Sequence, residues 1–101
     1  MGRFDVYPNP GTDGTGFVLD VQADLLSELA TRVVVPLLPQ NTAPKAARGL
    51  NPAFEIDGRP HLMLTQFIAA VPKKHLGKST LSLKARSDDI TRALEFLLVG
   101  F

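Results

Sequence analysis

Apolar and polar residues alternate near the start of the chain, with Phe4 and Val6 on one side and Arg3, Asp5 and Tyr7 on the other. The alternation returns at Phe17, Leu19 and Val21. A period of two belongs to a strand with one buried face, so strands are predicted over residues 3–7 and 17–22. Between them, residues 8–16 (P-N-P-G-T-D-G-T-G) hold two prolines and three glycines, which predicts a flexible connection closing a wide hairpin. Residues 24–31 (D-L-L-S-E-L-A-T) lose the alternation and are too short for an independent helix. They read as a turn or helical excursion, with Leu25 and Leu26 near the surface or at an edge. Residues 32–38 then carry Val33, Val34 and Val35 in succession, the composition of a central strand covered on both faces. Pro36 is expected to mark a bulge or the end of that strand, and Pro39 to close the segment.

Residues 40–51 are polar, with Pro44 and Gly49, and predict a long surface loop displaying Lys45 and Arg48. Asp57-Gly58 between the strand-like runs 53–56 and 59–67 signals a tight hairpin with positive φ angles. Leu62 and Leu64 share one face of the second run, while His61, Met63, Thr65 and Phe67 share the other, so this strand is expected to be covered twice. Residues 68–71 continue as a strand toward Pro72, and 79–83 give a last short one. Residues 87–101 follow as the clearest helix. Ser87 is placed as its N-cap, Asp88 and Asp89 complement the positive end of the dipole, and Ile90, Ala93, Leu94, Leu97 and Phe101 recur on one face. Val99 falls on the opposite side and Phe96 well off that face. Short strands followed by one helix describe an α+β domain, most simply a curled antiparallel sheet or small barrel with the C-terminal α-helix packed against it.

A chain of 101 residues predicts a single domain over 1–101 whose modest core leaves apolar surface for self-association. With 45% hydrophobic and 21% charged residues it is expected to be ordered and soluble, with no run long enough to span a bilayer. The opening M-G-R-F-D-V-Y does not have the pattern of a secretion signal, and Tyr7 stands where a myristoylation motif wants Ser or Thr. Cytoplasm is the default expectation. Cysteine is absent, which excludes disulfides and thiol nucleophiles. The net charge of +1 offers no broad field for nucleic acid, and the local cluster Lys73, Lys74, His75 and Lys78 reads as a solvated loop.

Candidate chemistry is sparse. His61 in a strand and His75 in a basic loop have no evident carboxylate partner, and two histidines without cysteine do not make a metal-site spacing. Neither a metal nor a cofactor is expected. Gly11, Gly14 and Gly16 lack the Lys-Ser/Thr and the helix of a phosphate loop. Asp88 and Asp89 are better explained by the helix start than as catalytic acids. The residues point away from enzymatic chemistry.

Several segments together resemble the CcdB family of toxins that poison DNA gyrase, components of bacterial toxin-antitoxin pairs. The resemblance spans essentially the whole chain. It rests on F-D-V-Y at 4–7, D-V-Q-A-D-L-L at 20–26, R-V-V-V-P-L at 32–37, A-A-V-P at 69–72, and a terminal D-I-x-x-A-L helix ending in Gly-aromatic. It implies a homodimer on an SH3-like small antiparallel β-barrel or curled sheet with a C-terminal α-helix, a fold shared with MazF-type ribonuclease toxins, with no enzymatic activity of its own. The implied partners are the gyrase A subunit, whose cleavage complex with DNA is trapped, and a CcdA-like antitoxin, with which the toxin autoregulates transcription. DNA would be met only indirectly. The family pattern places the gyrase-contacting residues at Leu25, Leu26, Glu95, Val99, Gly100 and Phe101, and part of the antitoxin contact in the loop 9–14. Val99 stands where the family's best-known plasmid toxin has tryptophan, and Glu95 where it has an amide. Phe101 is claimed twice, by the target surface in the family pattern and by the packing face in the helical wheel. Two alternatives follow: a MazF-type ribonuclease, for which Arg32 with His61 is the pair to nominate, and a non-toxic homologue that keeps the dimer and antitoxin binding.

Overall fold

The computed structural model describes residues 2–11 and 16–100. Strands β1 (Asp5–Pro8), β2 (Phe17–Asp20), β3 (Thr31–Pro39), β4 (Ala53–Ile56), β5 (Arg59–Met63), β6 (Ala69–Pro72) and β7 (Leu81–Ser82) precede one helix, α1 (Ser87–Leu98). The strands form one antiparallel sheet in the order β4-β5-β3-β2-β1-β7, with β6 also on β3. The sheet curls into a half-barrel closed on one side by α1, the α+β arrangement predicted from the pattern and the SH3-like fold that the resemblance implies.

β3 is the spine. It pairs with β2 along one edge, Leu19 opposite Val35, and its other edge is shared by β6 over 31–34 and β5 over 37–39. Pro36 therefore does not end the strand, one of the two outcomes expected of it, but stands where β3 changes partner along that edge. Its carbonyl points to the shared edge and accepts from the Leu64 N–H at 2.9 Å, so its missing donor falls in the gap between the two partners, where no ladder bond is lost.

The alternating residues of β1 and β2 behave as predicted on one face. Val6, Leu19, Val35 and Leu37 join Phe54, Ile56 and Met63 in the main core, closed from the other side by Ile90, Ala93 and Leu94 of α1. Burying a side chain such as Ile90 contributes roughly 1.5–3 kcal/mol. β1 starts later than predicted because Phe4 adopts φ 74°, a conformation costly for a bulky residue. That turn is held by the Phe4 N–H donating to the Asp20 carbonyl (2.6 Å) and by the Leu83 N–H donating to the Phe4 carbonyl (2.8 Å).

The other face is not solvated, which corrects the half-buried reading of β1. Tyr7, Val18 and Val34 form a second cluster beneath Leu76, which the 3-10 turn Lys73–His75 brings over the sheet. The basic segment is thus a cover with an exposed charged side. The hairpin β4–β5 is as predicted, with Asp57 at φ 54° and Gly58 at φ 76°. β5 stops at Met63, however, and a 3-10 turn (Thr65–Phe67) follows, so double coverage holds for 61–65 while Phe67 is exposed.

At α1 the predicted N-cap is displaced. The 3-10 turn Lys84–Arg86 runs straight into the helix, so Ser87 lies inside it and Arg86 takes the cap position without a side-chain bond. Asp88 and Asp89 occupy the first turn, and Asp89 Oδ2 accepts from Arg86 Nε at 2.8 Å. The helix stops at Leu98, where Gly100 at φ 96° takes the left-handed conformation suited to glycine. Phe101 lies outside the described residues, as do 12–15 of the loop after β1.

Candidate functional site

The helix end and the turn after β2 face each other across an apolar groove of about 510 Å³. Its floor is Val21, Val33, Ile68 and Leu94; one wall is Leu26 and Leu29, and the other is Leu98 and Val99. Glu95 and Arg3 are the charged groups on its lining. The reason these elements meet is the register of the sheet: the Val21 N–H donates to the Val33 carbonyl of β3 (3.0 Å), so the 3-10 turn Asp24–Leu26 leaves the sheet beside Val33, which shares the groove lining with Leu94 and Leu98 of α1.

The structure brings together three of the predicted residues, Leu26, Glu95 and Val99, on the lining of this one groove. Leu25 is at the crest of the turn, 93% exposed and outside the lining, and Gly100 is exposed past the helix end. Val99 is 59% exposed, as the helical wheel predicted for it. Sequence reasoning missed Leu98, at 70% exposure the barest apolar residue of α1, and Leu29. The signal for Leu98 was available, since Thr91, Leu94, Glu95 and Leu98 recur at three and four along the helix and all line the groove. Several large apolar side chains left in water around one groove are the mark of an interaction surface.

The ribonuclease pair is not assembled. Arg32 pairs across from Val71 and His61 across from Pro39, at opposite ends of β3 and so roughly 23 Å apart at about 3.3 Å per residue. Each is otherwise engaged. His61 is buried edge-on against Phe17, with Nδ1 3.0 Å from the Arg59 carbonyl. Arg32 is fully buried, its Nε donating to Asp20 Oδ2 at 2.9 Å and its Nη2 2.6 Å from the same oxygen. Asp20 Oδ1 accepts from the Gln22 N–H at 3.0 Å. Burial pushes the Asp20 carboxyl above its ordinary pKa, and the bonds from Arg32 and Gln22 pull it part of the way back. Burial likewise raises the Tyr7 phenol, with Asp5 and Asp20 adding to the effect and Arg32 opposing it. The pair is structural, a neutral ion pair under the second cluster.

Among the described residues no group of three or more His, Asp or Glu could hold a metal ion, and no helix is long and apolar enough to cross a membrane. A family model described as CcdB protein matches residues 3–100, nearly the whole chain.

Proposed function

This chain belongs to the CcdB family, and we propose that it is the toxin of a type II toxin-antitoxin pair, acting as a single-domain homodimer in the cytoplasm. It binds the gyrase A subunit and traps the gyrase-DNA cleavage complex, by contact and not by covalent chemistry. A CcdA-like antitoxin releases it, partly through the loop after β1. The observation that carries this reading is the gathering of exposed leucines from two distant segments, 25–29 and the end of α1, around one groove that also holds Glu95 and Val99.

The proposed target surface is Leu25, Leu26, Glu95, Val99, Gly100 and Phe101. Valine at 99 is a smaller anchor than the tryptophan of the plasmid toxin, and losing an aromatic anchor can cost several kcal/mol of binding. The surrounding Leu98, Leu26 and Leu29 supply apolar area in its place. The test is binding of the purified protein to gyrase A at micromolar concentration, with a DNA cleavage assay alongside. Leu25→Ser should weaken both without changing the unfolding midpoint, because the residue is almost wholly in water. Absence of binding and of stabilised cleavage by the wild type would refute the reading. Val99→Trp should strengthen poisoning; a wild type that binds antitoxin yet is harmless on expression would point to the non-toxic homologue.

A further inference from the structure

We propose that Gln22 is the positioning residue of the docking turn, holding Leu25 and Leu26 on β3 through the two ends of its carboxamide. The proposal rests on the reading that these leucines meet the target. The turn Asp24–Leu26 has three residues, no side-chain cap and no buried residue. One turn of helix does not hold itself in water. Its fastening comes from outside: Gln22, 6% exposed, accepts the Val33 N–H on Oε1 at 3.0 Å and donates from Nε2 to the Leu26 carbonyl at 2.9 Å. The last residue of the turn is thereby tied to the central strand by one side chain.

Two further ties act at the ends. Lys73 Nζ donates to the Ser27 carbonyl at 3.0 Å, and Asp24 Oδ1 accepts the Arg3 N–H at 2.8 Å. The Gln22 position alone requires a group that donates and accepts at once, which among side chains of this length only a carboxamide does in fixed geometry. Glutamate would accept from Val33 but turn a second acceptor toward the Leu26 carbonyl. Methionine would fill the volume and supply neither bond.

The experiment is a double-mutant cycle. Gyrase A affinity is measured for the wild type, Gln22→Met, Gln22→Glu and Lys73→Met, alone and combined with Leu25→Ala, at a temperature where circular dichroism shows every variant folded. Gln22→Met should weaken binding on the order of ten-fold, because the two hydrogen bonds that fix the turn are lost and part of that loss is felt at the surface. In the Leu25→Ala background its effect should shrink, because Gln22 acts through the leucines. Equal losses in both backgrounds, or no loss at all, would overturn the proposal. Amide hydrogen exchange gives a readout that does not pass through the target: Ser27 and Val33 should exchange several-fold faster in Gln22→Met while β1 and β2 amides keep their protection. Unchanged exchange at Ser27 and Val33 overturns the positioning role. If the wild type binds no gyrase A, the target reading falls and exchange decides the positioning by itself. Should Gln22→Met not fold, Gln22→Glu carries the same comparison, with Lys73→Met, which leaves both carboxamide bonds intact, as the control.

Discussion

Val6, Leu19 and Val35, on the helix-facing side of the sheet, and Tyr7, Asp20 and Arg32, on the opposite side, are buried to the same degree, all at 0–1% exposure. The first set is apolar and touches apolar neighbours of the main core. The second encloses an ion pair, a phenol and the Arg32 Nη1, of which the Tyr7 hydroxyl and that nitrogen have no hydrogen-bond partner among the described residues. Equal burial therefore has unequal consequences. Apolar groups gain from leaving water, whereas a buried ion pair returns about what its desolvation costs and becomes expensive once one partner is lost. The helix-facing set supplies net stability, whereas on the opposite side that gain comes from Val18, Val34 and Leu76 and not from the ion pair.

The largest effect that would sharpen this contrast comes from Arg32→Met. It leaves Asp20 buried without its cation and should destabilise by about 3–5 kcal/mol in chemical denaturation. Adding Asp20→Asn should recover most of that loss; a double variant no better than the single would break the account of the ion pair. Leu19→Ala, on the other side, should cost about 3 kcal/mol through lost burial and a cavity, with no partner change able to restore it. Leu76→Ala thins the cover of the second cluster and should cost about 2 kcal/mol, less than Leu19 because Leu76 meets fewer buried groups. It should also speed amide exchange at Val18 and Val34.

The smallest effect concerns pH. The Tyr7 pKa is raised by folding, so the folded state holds the phenolic proton after the unfolded chain, with its ordinary value of 10.0, has begun to lose it. Its contribution is full below that value and is lost as pH rises toward the folded value. Tyr7 is the sole tyrosine, so an ultraviolet titration reads it directly. Ionisation should be delayed beyond the ordinary range, and Tyr7→Phe should flatten the fall in stability at alkaline pH. An ordinary titration with unchanged alkaline stability would contradict the burial of this group.

Much of the helix-facing side was legible because it obeys local periodicity. Alternation at Phe4, Val6, Phe17, Leu19 and Val21 and the three-four spacing of Ile90, Ala93 and Leu94 each name a face without reference to any partner. The opposite side was not, since its cover is Leu76 in a segment whose lysines read as solvent-exposed. The same division runs through the candidate site. Val99 leaves the packing face on the helical wheel alone, Leu25 and Leu26 are placed near the surface by the lost alternation, and the spacing of Leu98 is readable too, but the groove they share and the bond from Val33 of β3 to Gln22 come from how the strands are brought together.

Sequence by itself determined the strands of β1 and β2, the Asp57-Gly58 hairpin, the packing face of α1 and the family, since each is written in adjacent residues or in the order of short segments. Tertiary structure alone decided that Pro36 sits within β3, that Arg32 pairs with Asp20 instead of His61, and that the turn at 24–26 and the end of α1 share one groove. The physical reason is common to all three. A missing donor, a buried charge and an exposed leucine are tolerated or costly according to what lies across the gap, and strand register and chain crossing supply that neighbour from elsewhere in the chain.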